Sequence, residues 1–139
     1  MAPSIEHKKH LKTVVTFKTV ISQITELTEG ETVSYGRTFR ADKPMRIATL
    51  PVGYADGIKR VLSNKGRVSV KGKPAQITGT VCMDMIMVDI TDIDCREGDE
   101  VIIFGDFPTL EEYAQNCGTI TYEILTSISS RVKRVYLKE

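Results

Sequence analysis

Apolar and polar positions alternate in short blocks over the first hundred residues, with turn residues closing each block; a helical period emerges only near the C-terminus. Residues 1–10 are polar without periodicity and read as an extended leader. From Leu11 to Leu27 the chain is β-rich, with Val14, Val15, Phe17, Val20, Ile21 and Ile24 in partial alternation. That pattern predicts a long, bent strand that changes face. Glu29-Gly30-Glu31 is a turn, and Val33 to Phe39 a short strand broken by Gly36. Asp42-Lys43-Pro44 turns the chain again. Met45 to Leu50 is a strand ending at Pro51, after which Gly53 and Gly57 bracket a loop. Ser63-Asn64-Lys65-Gly66 is a further turn. Arg67 to Lys71 is expected to pair with Ala75 to Val81 across Gly72-Lys73-Pro74, as a hairpin. Met85 to Ile90 places Ile86, Val88 and Ile90 on one side and Met85, Met87 and Asp89 on the other. Arg96-Glu97-Gly98-Asp99 turns into a strand from Glu100 to Phe104.

The tail differs. Thr109 can cap a helix with Glu111 and Glu112 in its first turn and Gly118 just past its end. Thr121 to Ser129 repeats the pattern, with Thr121 as the cap and Ile124, Leu125 and Ile128 at helical spacing. Arg131 to Leu137 returns to a strand pattern. The prediction is therefore mainly β: a Greek-key-like closed β-barrel carrying two short C-terminal helices, one domain over residues 11–139.

Bulk composition narrows the function classes. With 41% hydrophobic and 27% charged residues, the 139-residue chain suits one compact domain. Nineteen basic against eighteen acidic residues, and no tryptophan, show no basic aromatic-studded face for nucleic acid. The apolar runs are far too short to span a bilayer. The charged N-terminus lacks an apolar signal core, as expected of a cytoplasmic protein. Cys82, Cys95 and Cys117 are odd in number and irregularly spaced, so reduced thiols are expected and no metal pattern is present. His7 and His10 belong to a charged run and read as solvated leader rather than ligands.

Candidate chemistry rests on a few residues beside glycines and turns. A strand tyrosine such as Tyr35 is by itself more often packing than a base, because its phenol titrates near pH 10 unless a cation or hydrogen bond favours the phenolate. Tyr54, on a glycine-flanked loop, is by itself surface decoration, and Asp56 suits holding that loop through backbone hydrogen bonds. Cys82 has no histidine beyond the two in the leader to activate it, so a buried structural thiol is the plainer expectation. Tyr122 begins the second helix and by itself can simply pack.

Val33-Ser34-Tyr35-Gly36-Arg37, Pro51-Val52-Gly53-Tyr54-Ala55-Asp56-Gly57 and Val81-Cys82-Met83-Asp84, in this order and spacing, resemble the C-terminal domain of bacterial alanine racemases, which use pyridoxal 5′-phosphate (PLP). The resemblance runs from about Leu11 to Val135. It implies that Tyr35 is one of two catalytic bases, removing or returning the α-proton of alanine on one face, while the PLP-binding lysine serves the other. It implies that the backbone N–H of Met83 binds the substrate carboxylate, that Asp84 lines the same pocket and that Tyr54 narrows the entrance. Arg60 and Ile120 match residues along the substrate corridor, and Tyr122 matches the tyrosine that donates its hydroxyl to the PLP phosphate. No metal is implied. Three positions depart from the pattern: Thr80 where many relatives carry arginine, Met85 where glutamine follows C-M-D, and Lys133 where proline stands in R-V-P-R.

The lysine of such an enzyme lies in an N-terminal TIM-barrel domain, in a segment like V-K-A-N-A-Y-G-H-G, and no such segment occurs in these 139 residues. Met1-Ala2 before a family-like Pro3-Ser4 suggests a recombinant or truncated piece, expected to be inactive alone. The resemblance further implies a head-to-tail homodimer, in which this domain faces the barrel of its own and of a second subunit. It also implies D-alanine supply for peptidoglycan. A racemase of serine or another small amino acid, a fold-III decarboxylase with a different cysteine–aspartate motif, and a non-catalytic β-barrel interaction module are the competing readings. Tyr122, which crowds the pocket, favours alanine.

Overall fold

The computed structural model describes residues 15–33 and 38–136. In chain order these form β1 (Phe17–Val20), β2 (Gln23–Leu27), β3 (Thr32–Val33), β4 (Phe39–Arg40), β5 (Met45–Leu50), a 3₁₀ turn (Arg60–Leu62), β6 (Arg67–Val70), β7 (Lys73–Thr78), β8 (Ile86–Asp89), β9 (Glu100–Phe104), α1 (Leu110–Cys117) and α2 (Thr121–Ser127). Seven strands make one sheet in the order β1-β9-β6-β7-β8-β5-β2, and β3 pairs separately with β4. Every pairing is antiparallel.

The expected closed barrel is corrected to an open half-barrel whose edges are β1 and β2. Only Ile21 and Ser22 separate those two strands. A strand that runs on after a two-residue bend keeps its direction, so it cannot fold back to pair with itself. Each half finds another neighbour instead. Ile21 exchanges backbone hydrogen bonds with the turn before β9 (Ile21 N to Asp99 O, 2.9 Å; Gly98 N to Ile21 O, 2.8 Å), while the Ser22 N–H reaches Thr49 O in β5 at 2.9 Å. The bend that changes face is thus present, and it links two edges rather than sealing a seam.

Alternation sets the core. Ile86, Val88 and Ile90 are buried and Met87 and Asp89 half-buried, as the period-two pattern requires. Leu50, Val70, Val101, Ile103 and Phe104 join them inside. α1 covers one end of this core through Tyr113, whose ring lies 5.1 Å from that of Phe104. Thr109 caps α1 by accepting the Glu112 N–H at 3.1 Å, and Gly118 ends it at φ +73°.

Four local expectations shift. The β6–β7 turn is Lys71-Gly72, at φ +54° and +79°, a two-residue type I′ geometry that matches strand twist, so Pro74 falls inside β7 opposite Ser69. The strand expected over 33–39 is represented by β3 and β4, which flank residues 34–37 outside the described residues. Ile120, not Thr121, occupies the cap position of α2, and no side chain caps it. No strand forms over 131–136: the Val132 N–H closes a turn onto Ser129 O at 3.1 Å, and the Arg131 side chain is drawn to two loops. The leader, residues 1–10, also lies outside the described residues, with His7 and His10.

Candidate functional site

Two non-regular segments meet where β5 ends and β8 begins, at the Leu50–Ile86 pair. Pro51 ends β5, and the Gly53–Gly57 loop then lies flat against the Cys82–Met85 turn. The Tyr54 N–H donates to Cys82 O at 2.9 Å and the Ala55 N–H to Met83 O at 3.0 Å. The approach is so close that a Cβ on Gly53 would stand 2.2 Å from Cys82 O and 2.5 Å from Met83 O. Only glycine fits there.

These two bonds fix the direction of a donor. In a trans peptide the C=O and N–H point opposite ways. Cys82 O faces the Gly53–Gly57 loop, so the Met83 N–H in the same peptide plane faces away from it. Among the described residues no hydrogen bond uses that N–H, and the Met83 side chain is itself exposed. An outward, unused backbone donor held by a bonded carbonyl is suited to an anion; the bond on the carbonyl side also polarises it.

The loop is held from within. Asp56 is buried, and its Oδ2 accepts the Gly53 N–H at 2.8 Å, as its sequence position suggested. Asp56 O accepts the Ser129 N–H at 3.1 Å. Arg131 then joins loop and turn: its Nε donates to Asp56 Oδ1 at 2.7 Å and its Nη2 to Asp84 Oδ1 at 2.6 Å. Those bonds, that to Asp84 foremost, raise the already strong basicity of the guanidinium. Arg131 was not among the sequence candidates. Its partners lie 75 and 47 residues away, a relation that no local pattern carries.

The predicted site residues divide as follows. Tyr54, Met83 and Asp84 are brought together by the loop–turn contact. Tyr122 and Ile120 are strongly exposed, at 74% and 65%, at the start of α2. The other end of that helix meets the loop, since a Cβ on Gly57 would stand 2.9 Å from Ser127 O. Lys59 reaches Glu123 on α2 at 3.9 Å, and Arg60, exposed, follows it in the 3₁₀ turn. Tyr35 lies outside the described residues. Three residues on, Thr38 is anchored: its carbonyl accepts from Asn64 Nδ2 at 3.3 Å and its hydroxyl meets that of Thr80 at 2.8 Å. Asn64, at φ +59°, also takes the Gly79 N–H at 2.7 Å. Thr80 thus belongs to this clasp. Cys82 is half-buried rather than buried, with its thiol 3.4 Å from Thr80 O.

Two open clefts, about 250 and 330 Å³, are lined by Ser69, Lys71, Gly72, Glu100 and Ile102 and by Lys71, Asp94, Cys95, Arg96 and Asp99. Neither contains a candidate residue. Tyr54, Arg60, Met83, Asp84, Ile120 and Tyr122 are all exposed, so fold and candidate site together define a half-barrel domain whose described candidate groups lie on its surface.

The chain belongs to the alanine racemase C-terminal domain family, which matches residues 14–136. It is 49% identical over 144 residues to an alanine racemase of Clostridium perfringens strain SM101, a match covering 98% of this chain and 37% of that enzyme. The crystal structure of alanine racemase from D-cycloserine-producing Streptomyces lavendulae superposes with a TM-score of 0.90 at 37% identity, covering all of this chain and 38% of that one. Alanine racemase from Bartonella henselae, solved with covalently bound pyridoxal phosphate, gives 0.85 at 39% identity, covering 88% of this chain and 34% of that one. The chain therefore spans little more than a third of these relatives. No helix among the described residues is long and apolar enough to cross a membrane.

Proposed function

We propose that this domain forms one wall of an alanine racemase active site, acting with PLP to interconvert L- and D-alanine. The observation that carries the reading is the outward Met83 N–H, fixed by the Tyr54–Cys82 bond beside Tyr54 and Asp84. A carboxylate is the anion it would take. The donor set also fits PLP, a phosphate-bearing cofactor: the exposed Tyr122 phenol at the start of α2 is suited to a phosphate oxygen. Covalent attachment falls to a lysine of a barrel domain. When bound, PLP draws electrons from the α-carbon of the attached amino acid and so acidifies its α-proton.

The residues of this chain then divide the work. Met83 orients the substrate by its carboxylate. Tyr54 and Ile120 narrow the approach, with Arg60 and Asp84 setting its polarity. Tyr35 takes or returns the proton on one face, and the lysine serves the other. The partner surfaces are the barrel of the same subunit and that of a second, in a head-to-tail homodimer in the cytoplasm. The product would feed peptidoglycan synthesis.

Joining this chain to the barrel domain of the Clostridium perfringens enzyme tests the proposal. The fusion is expected to racemise alanine with kcat/KM above that for serine, and the 139-residue chain alone to form no borohydride-trappable PLP adduct. A fusion that binds PLP and leaves both enantiomers of alanine unchanged would reject it. Preference for serine would favour the other racemase reading.

A further inference from the structure

Arg131 has no part in the roles assigned above, yet it joins the two segments that make the site. Asp56 and Asp84 stand on opposite sides of the seam between the Gly53–Gly57 loop and the Cys82–Met85 turn, and both face Arg131, at 2.7 and 2.6 Å. Without it two carboxylates of like charge would share the seam and push it open. The seam is also where the Tyr54 and Ala55 amides hold Cys82 O and Met83 O, and so where the Met83 N–H receives its direction. A second difficulty concerns charge. An anion on the Met83 N–H would lie one residue from the Asp84 carboxylate, and that carboxylate repels it unless compensated. A lone exposed ion pair does little. The planar guanidinium does more here because it forks: one nitrogen is spent on a buried carboxylate, which fixes the plane, and another on the exposed one.

We propose that Arg131 is a positioning residue for a carboxylate-bearing ligand: by bridging Asp56 and Asp84 it keeps the Met83 N–H aimed outward and cancels the charge beside it. This rests on the reading of Met83 as the carboxylate donor. Lysine cannot replace it, since one ammonium cannot hold both acids in the same plane.

Two readouts test the inference. In the 139-residue chain, NMR amide exchange is expected to speed at Tyr54 and Ala55 in Arg131→Gln, with the Tyr113 amide of α1 unchanged. In the fusion enzyme, Arg131→Gln is expected to raise KM for alanine and Ki for propionate, a carboxylate without an amine, by about tenfold, the effect of one uncompensated charge at close range. kcat should change less than about threefold, because the proton-transfer groups are untouched. In an Asp84→Asn background the same Arg131 change should cost less than about threefold, because the charge to be cancelled is gone. A purely structural arginine would lower the folded fraction and kcat without that relief. Unchanged exchange at Tyr54 and Ala55, an unchanged propionate Ki, or an equal penalty in both backgrounds would overturn the inference. Loosened Tyr54 and Ala55 amides in the Arg131→Gln chain, together with a wild-type fusion that ignores alanine, would instead reject the alanine reading and leave the Arg131 bridge standing.

Discussion

Replacing Gly53 with alanine attacks the contact on which the site depends. The new Cβ would meet Cys82 O at 2.2 Å, Met83 O at 2.5 Å and Met83 C at 2.6 Å, all backbone atoms that no rotamer change can move. Ordinary contact begins near 3.4 Å, so loop and turn must part by more than 1 Å. That distance breaks both hydrogen bonds across the seam, now 2.9 and 3.0 Å. Each is worth about 0.5–1.5 kcal/mol net, and more where a desolvated donor is left unpaired, giving a loss of about 2–5 kcal/mol. Gly72→Ala supplies the contrast. Nothing lies within 4 Å of its added Cβ, and only its φ of +79° is disfavoured, at a cost of about 1–2 kcal/mol. Urea unfolding of both variants, followed by far-UV circular dichroism, measures the difference. A Gly53→Ala chain no less stable than Gly72→Ala would refute the seam as described.

Thr109→Ala removes the hydroxyl that caps α1 and should cost about 1 kcal/mol in the same assay. All three cysteines are free in the structure, and thiol titration under denaturing, non-reducing conditions should count three. Burial pushes the Cys117 thiol from 9.0 up to about 11, so the fold favours the neutral thiol. That contribution is complete below pH 9 and fades as pH rises from 9 to 11. Stability should therefore fall across this window, and less so in Cys117→Ala. At pH 9 native Cys117 should also react with iodoacetamide many times more slowly than the unfolded thiol, since only about 1% of it is ionised.

Local chemistry was legible in the sequence and long-range closure was not. β5 begins at Met45 and stops before Pro51, and β9 spans Glu100–Phe104, because apolar runs and turn residues bound them on both sides. The Thr109 cap and Gly118 terminus follow from the chemistry of single residues. The barrel was misjudged because pairing across the seam depends on chain direction after Ser22, which residue pattern does not encode. The tail pattern of Arg131 to Leu137 resembles a strand, yet Arg131 answers to Asp56 and Asp84. Tyr54, Met83 and Asp84 come from two separate motifs, and the loop–turn hydrogen bonds bring them side by side. The sequence pattern marks Asn64 only as a turn residue, although its side chain also holds Thr38 and Gly79 together.

The most direct measurement of the central claim is α-deuterium exchange by the fusion enzyme carrying Tyr35→Phe, with PLP bound and each enantiomer of alanine supplied separately. The substitution keeps the ring and removes the ionisable hydroxyl. Racemisation should slow by about 10²–10⁴-fold in both directions, since each direction uses both bases. Exchange should become one-sided: the enantiomer whose proton the lysine removes keeps exchanging its label, and the other scarcely does. Equal slowing of exchange for both enantiomers, or near-normal turnover, would contradict the assignment of Tyr35 as the base that this domain contributes.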